Sequence, residues 1–550
     1  MHSMRTLKPN GRQRLAVIVI LCAAIWVIAP VMSQFGSALP VYRRTLDAVP
    51  LFNAWTVWWN ADRAASGFDN YWQAPIFHPA DDSFAYSEPQ TATALVAPVI
   101  WLTGSPAAAY NTWILLGLFL NGFLTWRILR RHQVHPAIAL AGAVSMTWLP
   151  VVTRQLEVLQ LISVWPALWT WDAVWRHGRK PTVRTAVEVS ISWAVGFHIC
   201  VHHSLFVTIL MGLTVWIVLT SWRSSRLYVT SVVTIAIMIV LVGGFAWKLR
   251  ESHHRHGFKR TADRVARLSV KPRNLLCPVR DAWLRGVPKE RPGHTPGWLK
   301  CGLALAAIAI GVRRRRHRRW ILFLGATTVV AGVLAMGPHA RLGPLVPWDW
   351  VARLPGIAQV RSVYRFTFFM QTAITLLAFT GLWWLYAWST RRSNARACHA
   401  LFGIVALVAI LESPLPQRWA IRVPELKQDV GWAKFVQENT PDGKAIITLP
   451  FNQTLKPWDY RDTTRWMYRS TLHGVPLVNG YSGYVAWDVT RMQKAFVKDG
   501  LTAELLEKIR EKGAHFIVVH ASDRDSVPDS LMLPVVFSDS RVRIYLTKPQ

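Results

Sequence analysis

Apolar runs separated by short basic or polar stretches recur along roughly the first three quarters of the chain. Most are long enough to cross about 30 Å of hydrocarbon. Spans are expected near residues 15–33, 108–128, 136–153, 158–175, 185–200, 203–221, 228–247, 298–312, 320–337, 365–388 and 397–412. The run 91–103 is apolar but short, and counting it as a span would move Arg130 to the other side; it is expected as an interfacial helix. From about Pro414 the pattern changes. Ala445 to Leu449 (AIITL) and His515 to His520 (HFIVVH) predict buried strands, and 535–547 predicts a hairpin turning at SDS. Helical spacing covers 426–440, 459–472, 486–498 and 502–512. The expected architecture is a mostly α, polytopic helical membrane protein with a C-terminal α/β domain. Residues 1–412 form the membrane domain, with a first outer loop over 34–107, and 413–550 form an extracytoplasmic domain. No internal repeat or low-complexity segment is visible.

Composition changes this picture only through the position of charge. The 550 residues are 52% hydrophobic and contain 30 Trp, yet 63 Lys and Arg face 30 Asp and Glu, a net +33. A soluble nucleic-acid binder could be that basic but would not carry repeated membrane-length runs, so nucleic acid is excluded as a partner. With the basic N-terminus inside, eleven spans put the clusters at Arg127 to Arg131, WRHGRK with Arg184, Trp222 to Arg226, RRRRHRR at 313–319, and Arg391 to Arg396 on one side. The positive-inside rule makes that side cytoplasmic. The first run, LAVIVILCAAIWVIAPVMS, is long for a signal peptide and is expected as a retained anchor. Of the five Cys, Cys22, Cys200, Cys301 and Cys398 fall in or beside spans and Cys277 in an outer loop. No disulfide framework or Cys/His metal spacing emerges.

There is no Walker loop, no GxGxxG after a strand, no HExxH and no GxSxG, which removes ATP-driven transport, nucleotide-cofactor chemistry and the common hydrolase plans. The first outer loop is more informative. Asp47 precedes the aromatic stretch with Trp55, Trp58 and Trp59; QAPIFHPADDSFAYSEP follows at 73–89, then the interfacial run and GSPAAAYN. This order resembles the GT-C superfamily of integral-membrane glycosyltransferases, which includes the protein O-mannosyltransferases and bacterial enzymes that use polyprenyl-phosphate sugars. The likeness extends to a largely uncharacterised bacterial group through residues 47–130, VGFHICVHHSLF at 195–206, residues 337–366, and TLPF with MYRSTLHGVPLVNGYSGY at 448–484.

The resemblance implies that an acid of the first outer loop, near the first span, is the catalytic base or holds the acceptor; Asp47 matches by position. It implies a polyprenyl-phosphate sugar donor in a membrane lipid and an extracytoplasmic glycan, lipid or protein acceptor. Some members use a divalent cation, for which Asp47 and Glu88 could supply oxygens. Superfamily members often carry two adjacent acids, whereas Asp47 stands alone, and Asp81 and Asp82 read as turn residues after HisPro.

Each candidate also has a structural reading. Asp47 could cap a helix or pair with Arg43 or Arg44. Glu88 could cap the interfacial helix or lie near the acceptor or a metal. Arg361 and Arg365, at i and i+4 before a span, could grip one phosphate or snorkel at the interface. Arg154 and Glu157 suit an ion pair. His198, His202 and His203 crowd one turn without a carboxylate nearby in sequence. The Trp stripe suits a membrane interface. In the tail, Asn479, Tyr481, Tyr484, Trp487 and Asp488 gather around two glycines, fitting either an acceptor loop or packing.

The expected reaction has Asp47 deprotonating an acceptor hydroxyl while Arg361 or Arg365 stabilises the departing lipid phosphate, an inverting transfer without nucleotide. A non-catalytic scaffold or carrier for lipid-linked glycans is the alternative. A transporter fits less well, because ionisable groups gather at the outer face rather than the midplane. The orientation has a direct check: a phosphatase fused after Gln550 should be active, and an inactive phosphatase paired with an active cytoplasmic reporter reverses it.

Overall fold

The computed structural model describes residues 11–41, 47–220, 222–277, 294–341, 343–413, 419–454 and 456–548. Its helices are α1 (Gly11–Ile28), α2 (Ala48–Ala65), α3 (Ala97–Thr103), α4 (Pro106–Arg131), α5 (Pro136–Thr147), α6 (Trp165–Arg179) and α7 (Val183–Ile199). Then come α8 (Val201–Thr214), α9 (Ser225–Arg255), α10 (Trp298–Gly311), α11 (Arg318–Ala335), α12 (Thr367–Ser389) and α13 (Ala395–Leu411). Each of the eleven expected spans carries a helix. Six helical stretches are long and apolar enough to cross a membrane by themselves: Gln13–Gln34, Pro106–Arg131, Pro136–Thr153, Ser225–Arg255, Arg318–Ala335 and Val363–Ser389. Helices α6, α7, α8, α10 and α13 have only 14 to 17 residues, at most about 26 Å of rise, and pack beside the longer ones. The chain is a multi-pass membrane protein.

Helix α12 lies at the centre, with almost every residue from Thr367 to Leu382 buried. At the rim, α9 exposes Val229, Val232, Ile235, Ile239 and Val240, the surface expected against lipid. Where the chain leaves helical geometry inside the bundle, buried side chains take over the freed backbone groups. Asn121 on α4 accepts from Val164 N at 3.0 Å and Trp165 N at 2.8 Å and donates to Ile162 O at 2.8 Å. That cap starts α6 at Trp165, several residues later than the expected span at 158. Gln371 on α12 accepts from Val151 N and donates to His294 O. Glu412 accepts from Leu299 N at 2.7 Å and Lys300 N at 3.1 Å, capping α10, and the fully buried Lys300 ammonium donates to Ser413 Oγ.

The tail forms the expected strands and helices. A four-stranded sheet has the order β3 (Ala445–Leu449), β4 (Ala514–His520), β6 (Val542–Leu546), β5 (Val535–Ser538), with β3 and β4 parallel and the other pairs antiparallel. Helices α14 (Val430–Asn439), α15 (Arg461–Arg469), α16 (Trp487–Asp499) and α17 (Ala503–Glu511) complete it. A separate ribbon pairs β1 (Ala38–Val41), just after the first span, with β2 (Trp419–Arg422), at the start of the tail.

The tail core does not end at the tail. Phe52, Trp55 and Trp59 of α2, with Tyr71, Ile76, Phe84 and Tyr86, bury into one cluster with Trp432, Val436 and the sheet residues. The Trp stripe expected at a membrane interface is therefore internal, because α2 is covered by the tail; Trp55 is fully buried. Asp82 turns the chain as expected, in the left-handed region at φ 56°, and its buried carboxylate also pairs with Lys248 at 3.0 Å, fastening the loop to α9. The interfacial run forms a 3-10 turn over Thr91–Val96 followed by α3, and Leu102 is 86% exposed.

Close helix packing is set by missing side chains. A Cβ at Gly381 on α12 would lie 2.2 Å from Leu303 O of α10 and 3.1 Å from Ala307 N, both backbone atoms that cannot swing aside. Gly381→Ala should therefore destabilise the detergent-solubilised protein by about 1–3 kcal/mol, the usual scale of overpacking. Gly403→Ala, on the open face of α13 with nothing within 4 Å, should be neutral. Thermal unfolding followed by tryptophan fluorescence checks the pair; equal melting temperatures contradict the packing argument.

Candidate active site

Two asparagines two helical turns apart on α2 build the site wall. Asn53 donates to Glu157 O at 3.0 Å and accepts from Gln90 Nε2 at 2.7 Å. Asn60 donates to Pro89 O at 2.9 Å and Thr93 Oγ1 at 2.9 Å, and accepts from the Tyr71 hydroxyl at 2.8 Å. Their seven-residue spacing puts both on one helix face, so residues 89–93 are laid along α2. Glu88, at the front of that segment, is thereby pushed inward toward the start of α8.

There the Glu88 carboxylate is saturated. Its Oε1 lies 2.8 Å from His202 Nδ1 and accepts from His202 N at 3.0 Å and Cys200 Sγ at 3.4 Å. Its Oε2 accepts from Gln160 Nε2 at 3.2 Å and lies 3.9 Å from Arg365 Nη1. Burial alone would raise the pKa of Glu88. The charge and hydrogen bonds of His202, with the Arg365 charge, override that and hold it below the usual carboxylate range. Glu88 is thus an ionised anchor rather than a proton carrier, and it does not cap the interfacial helix. Its histidine partner comes from the turn that holds His198, His202 and His203. His198 Nε2 meets Leu241 O at 3.1 Å, and the buried His203 ring packs on Phe368 and Phe369.

A divalent cation does not fit the two loop carboxylates. Glu88 is filled by donors beside Arg365, and Asp47 is engaged elsewhere with Arg461. Among the described residues no group of three His, Cys, Asp or Glu is arranged to hold a metal ion.

Arg365 opens onto a cationic cluster that the sequence reading captured only in part. Arg361 lies beside Arg264 and Arg365, and Arg260 feels all three. Burial, with Arg264 and Arg365 nearby, lowers the Arg361 guanidinium from its ordinary value. Burial and the neighbouring arginines bring Arg260 down to about 10, which still leaves it charged at neutral pH. Among the described residues Arg260, Arg264 and Arg361 have no carboxylate within ion-pair distance, and the Nε groups of Arg260 and Arg365 are buried without a hydrogen-bond partner. Buried N–H donors of that kind are rare and call for an acceptor.

The tail reaches the cluster directly. Arg260 donates to Gly483 O at 3.0 Å and its guanidinium sits 3.6 Å from the Tyr484 ring centroid. Tyr484 stacks on Phe258 and donates to Gln359 at 2.6 Å. Neither glycine of this loop has a positive φ. Each permits close approach instead: a Cβ would lie 3.0 Å from Ile76 at Gly480 and 2.9 Å from Tyr86 O at Gly483. Tyr481 packs on Phe52 and on Tyr460, and the Arg361 charge acts on its hydroxyl.

Asp47 is held by the helix that follows Tyr460. It immediately precedes α2 without capping it, and its Oδ2 is 2.6 Å from Nε of Arg461, the residue after Tyr460. Its expected alternative partners, Arg43 and Arg44, lie outside the described residues. The structure thus brings together Glu88, Arg361, Arg365, Tyr481 and Tyr484, whereas Asp47 is held by Arg461, next in sequence to the Tyr460 that packs on Tyr481. Asn479 is occupied inside the tail, donating to Thr448 O at 2.8 Å, and Trp487 is 73% exposed. Arg260, Arg264, Gln160 and Arg461 are additional members. The signal for the first two was the excess of Lys and Arg over residues 248–297.

The chain is similar in structure to arabinofuranosyltransferase AftD from Mycobacteria, with 14% identity and TM-score 0.59 over 98% of this chain and 40% of that one. A mutant form of the same enzyme matches with 14% identity and TM-score 0.55, covering 98% and 42%. ArnT from Cupriavidus metallidurans bound to undecaprenyl phosphate matches with 12% identity and TM-score 0.48, covering 98% and 99%. The chain spans about two fifths of the length of the AftD structures. No curated protein matches the sequence. The fold is shared with that of the AftD arabinofuranosyltransferase structures. A family described as "Domain of unknown function (DUF6311)" matches residues 18–410, most of the chain. The protein therefore belongs to the DUF6311 family and shares its fold with the AftD structures.

Proposed function

We propose that this protein is a membrane glycosyltransferase that moves a sugar from a polyprenyl-phosphate donor to an extracytoplasmic acceptor. The observation that carries the reading is the cluster of Arg260, Arg264, Arg361 and Arg365, with two buried N–H groups lacking acceptors. Planar guanidinium forks suit a phosphate, and an unneutralised cluster is costly unless an anion completes it.

In the proposed reaction an acceptor hydroxyl gives its proton to Asp47 and attacks the anomeric carbon. The bond from that carbon to the phosphate oxygen breaks, and its electron pair leaves with the lipid phosphate, stabilised by the arginines. One displacement inverts the anomeric configuration. Arg461 holds Oδ2 of Asp47, while Oδ1 has no hydrogen bond among the described residues and is available for the proton. Glu88 positions Arg365 and His202. The protein would lie in the inner membrane, N-terminus cytoplasmic, with residues 413–550 as the extracytoplasmic domain that presents the acceptor along the loop of Tyr481 and Tyr484. The deciding experiment incubates membranes with radiolabelled polyprenyl-phosphate sugars; label that stays on lipid for every donor tried favours a non-catalytic carrier.

Two substitutions test the parts separately. Asp47→Asn should lower transfer by about 100-fold or more, the usual contribution of a general base, with an unchanged melting profile. Arg461→Gln, which removes the ion pair but keeps the carboxylate, should cost much less; equal losses make Asp47 a structural partner only. Arg361→Lys should raise the donor KM while leaving stability nearly unchanged, because an ammonium lacks the fork. The same KM in both forms assigns Arg361 to snorkelling.

A further inference from the structure

We propose that the outer face carries a second anion site, separate from the arginine cluster, that receives the phosphate headgroup of a membrane lipid. A cavity of about 680 Å³ is lined by Lys271, Arg273 and Arg341 with Pro272, Pro338 and His339, and no acid is in its described lining. The depression is open to its surroundings on one side. Among the described residues none of the three cations forms an ion pair. His339 is used structurally, its Nε2 meeting Ala266 O at 3.0 Å.

The level of the cavity points to a lipid. Val270, just before Lys271, donates its N–H to Ala335 O at 3.0 Å, and Ala335 is the last residue of α11. The site therefore lies at one end of a membrane-length helix, opposite the RRRRHRR cluster at the other end. Headgroup phosphates occupy that depth, and α11 presents Val329 to lipid at 65% exposure, with Leu276 equally exposed just past Arg273. Residues 248–297 hold thirteen Lys and Arg against four Asp and Glu. On the side opposite the other basic clusters the positive-inside rule supplies no reason for that excess, whereas a lipid phosphate does. Simple snorkelling needs no shared site, and here the three cations line one open depression.

The site is distinct from the arginine cluster but linked to it. The helix Ala262–Arg267 carries Arg264 to the cluster, and the same segment continues through Leu268, whose carbonyl accepts from Tyr364 N at 3.2 Å, to Lys271. Two phosphates could thus be held side by side, whether or not sugar transfer is the reaction.

The test is native mass spectrometry of the detergent-solubilised full chain titrated with phosphatidylglycerol, phosphatidylcholine or inorganic phosphate. The expected result is preferential retention of phosphatidylglycerol. It should weaken about tenfold or more in the Lys271→Gln, Arg273→Gln, Arg341→Gln triple variant, since each lost charge-assisted contact is worth on the order of tenfold. The single Arg341→Gln variant, open to solvent and safe for folding, should weaken it several-fold. Equal retention of phosphatidylglycerol by wild type and both variants, or equal retention of phosphatidylcholine, overturns the site. Displacement of the lipid by inorganic phosphate at matching concentration overturns the lipid assignment.

Discussion

A polypeptide that breaks its helices inside a membrane-embedded bundle must find partners for every backbone group it frees, and this chain finds them in a few buried amide and carboxylate side chains. Asn121 starts one helix, Glu412 caps another, Asn111 donates to Phe35 O and Ala38 O at the first loop, and Asn53 and Asn60 hold the 89–93 segment. The candidate site follows from those satisfactions. Glu88 reaches His202 because the residues after it are pinned to α2, and Arg365 comes under Glu88 because the lead-in to α12 is held by Leu268.

Electrostatically the site is unequal by construction. One carboxylate, Glu88, is shared among His202, Gln160, Cys200 and Arg365, and the other arginines are left to repel one another. Such a grouping is unfavourable in a partly dry environment, and removing any one negative partner leaves an uncompensated charge. The tail tempers it through the face of Tyr484, which lies under Arg260, and the Gly483 carbonyl. A soluble arrangement could rely on solvent; here the loop of the tail replaces it.

Much of this was legible in the sequence, and the reasons differ by feature. Long apolar runs and clustered arginines mark spans because hydrocarbon thickness and charge placement are local properties, so every expected span carries a helix. The strands at Ala445–Leu449 and Ala514–His520 were readable as uninterrupted apolar runs. Asp47, Glu88, Arg361 and Arg365 stood out because acids and paired arginines beside spans are unusual. Partnerships were not readable. Asp47 meets Arg461 and Glu88 meets His202 across more than a hundred residues, and no local spacing encodes such pairs. The burial of Trp55 was hidden for the same reason: an aromatic stripe looks alike whether lipid or another layer of protein covers it.

The ribbon of β1 and β2 has a consequence in time. Ala38–Val41 leaves the ribosome long before its partner Trp419–Arg422, which follows the helix Ala395–Leu411. The apolar face of α2 likewise waits for the sheet that covers it. Contacts of such long sequence separation form late. During synthesis the first loop must stay incompletely packed until the tail arrives, so a chain stalled within the bundle would bear Asp47 and Glu88 without Arg461, Tyr481 or Tyr484. The site is assembled only once the tail has been made and has folded back on the first loop.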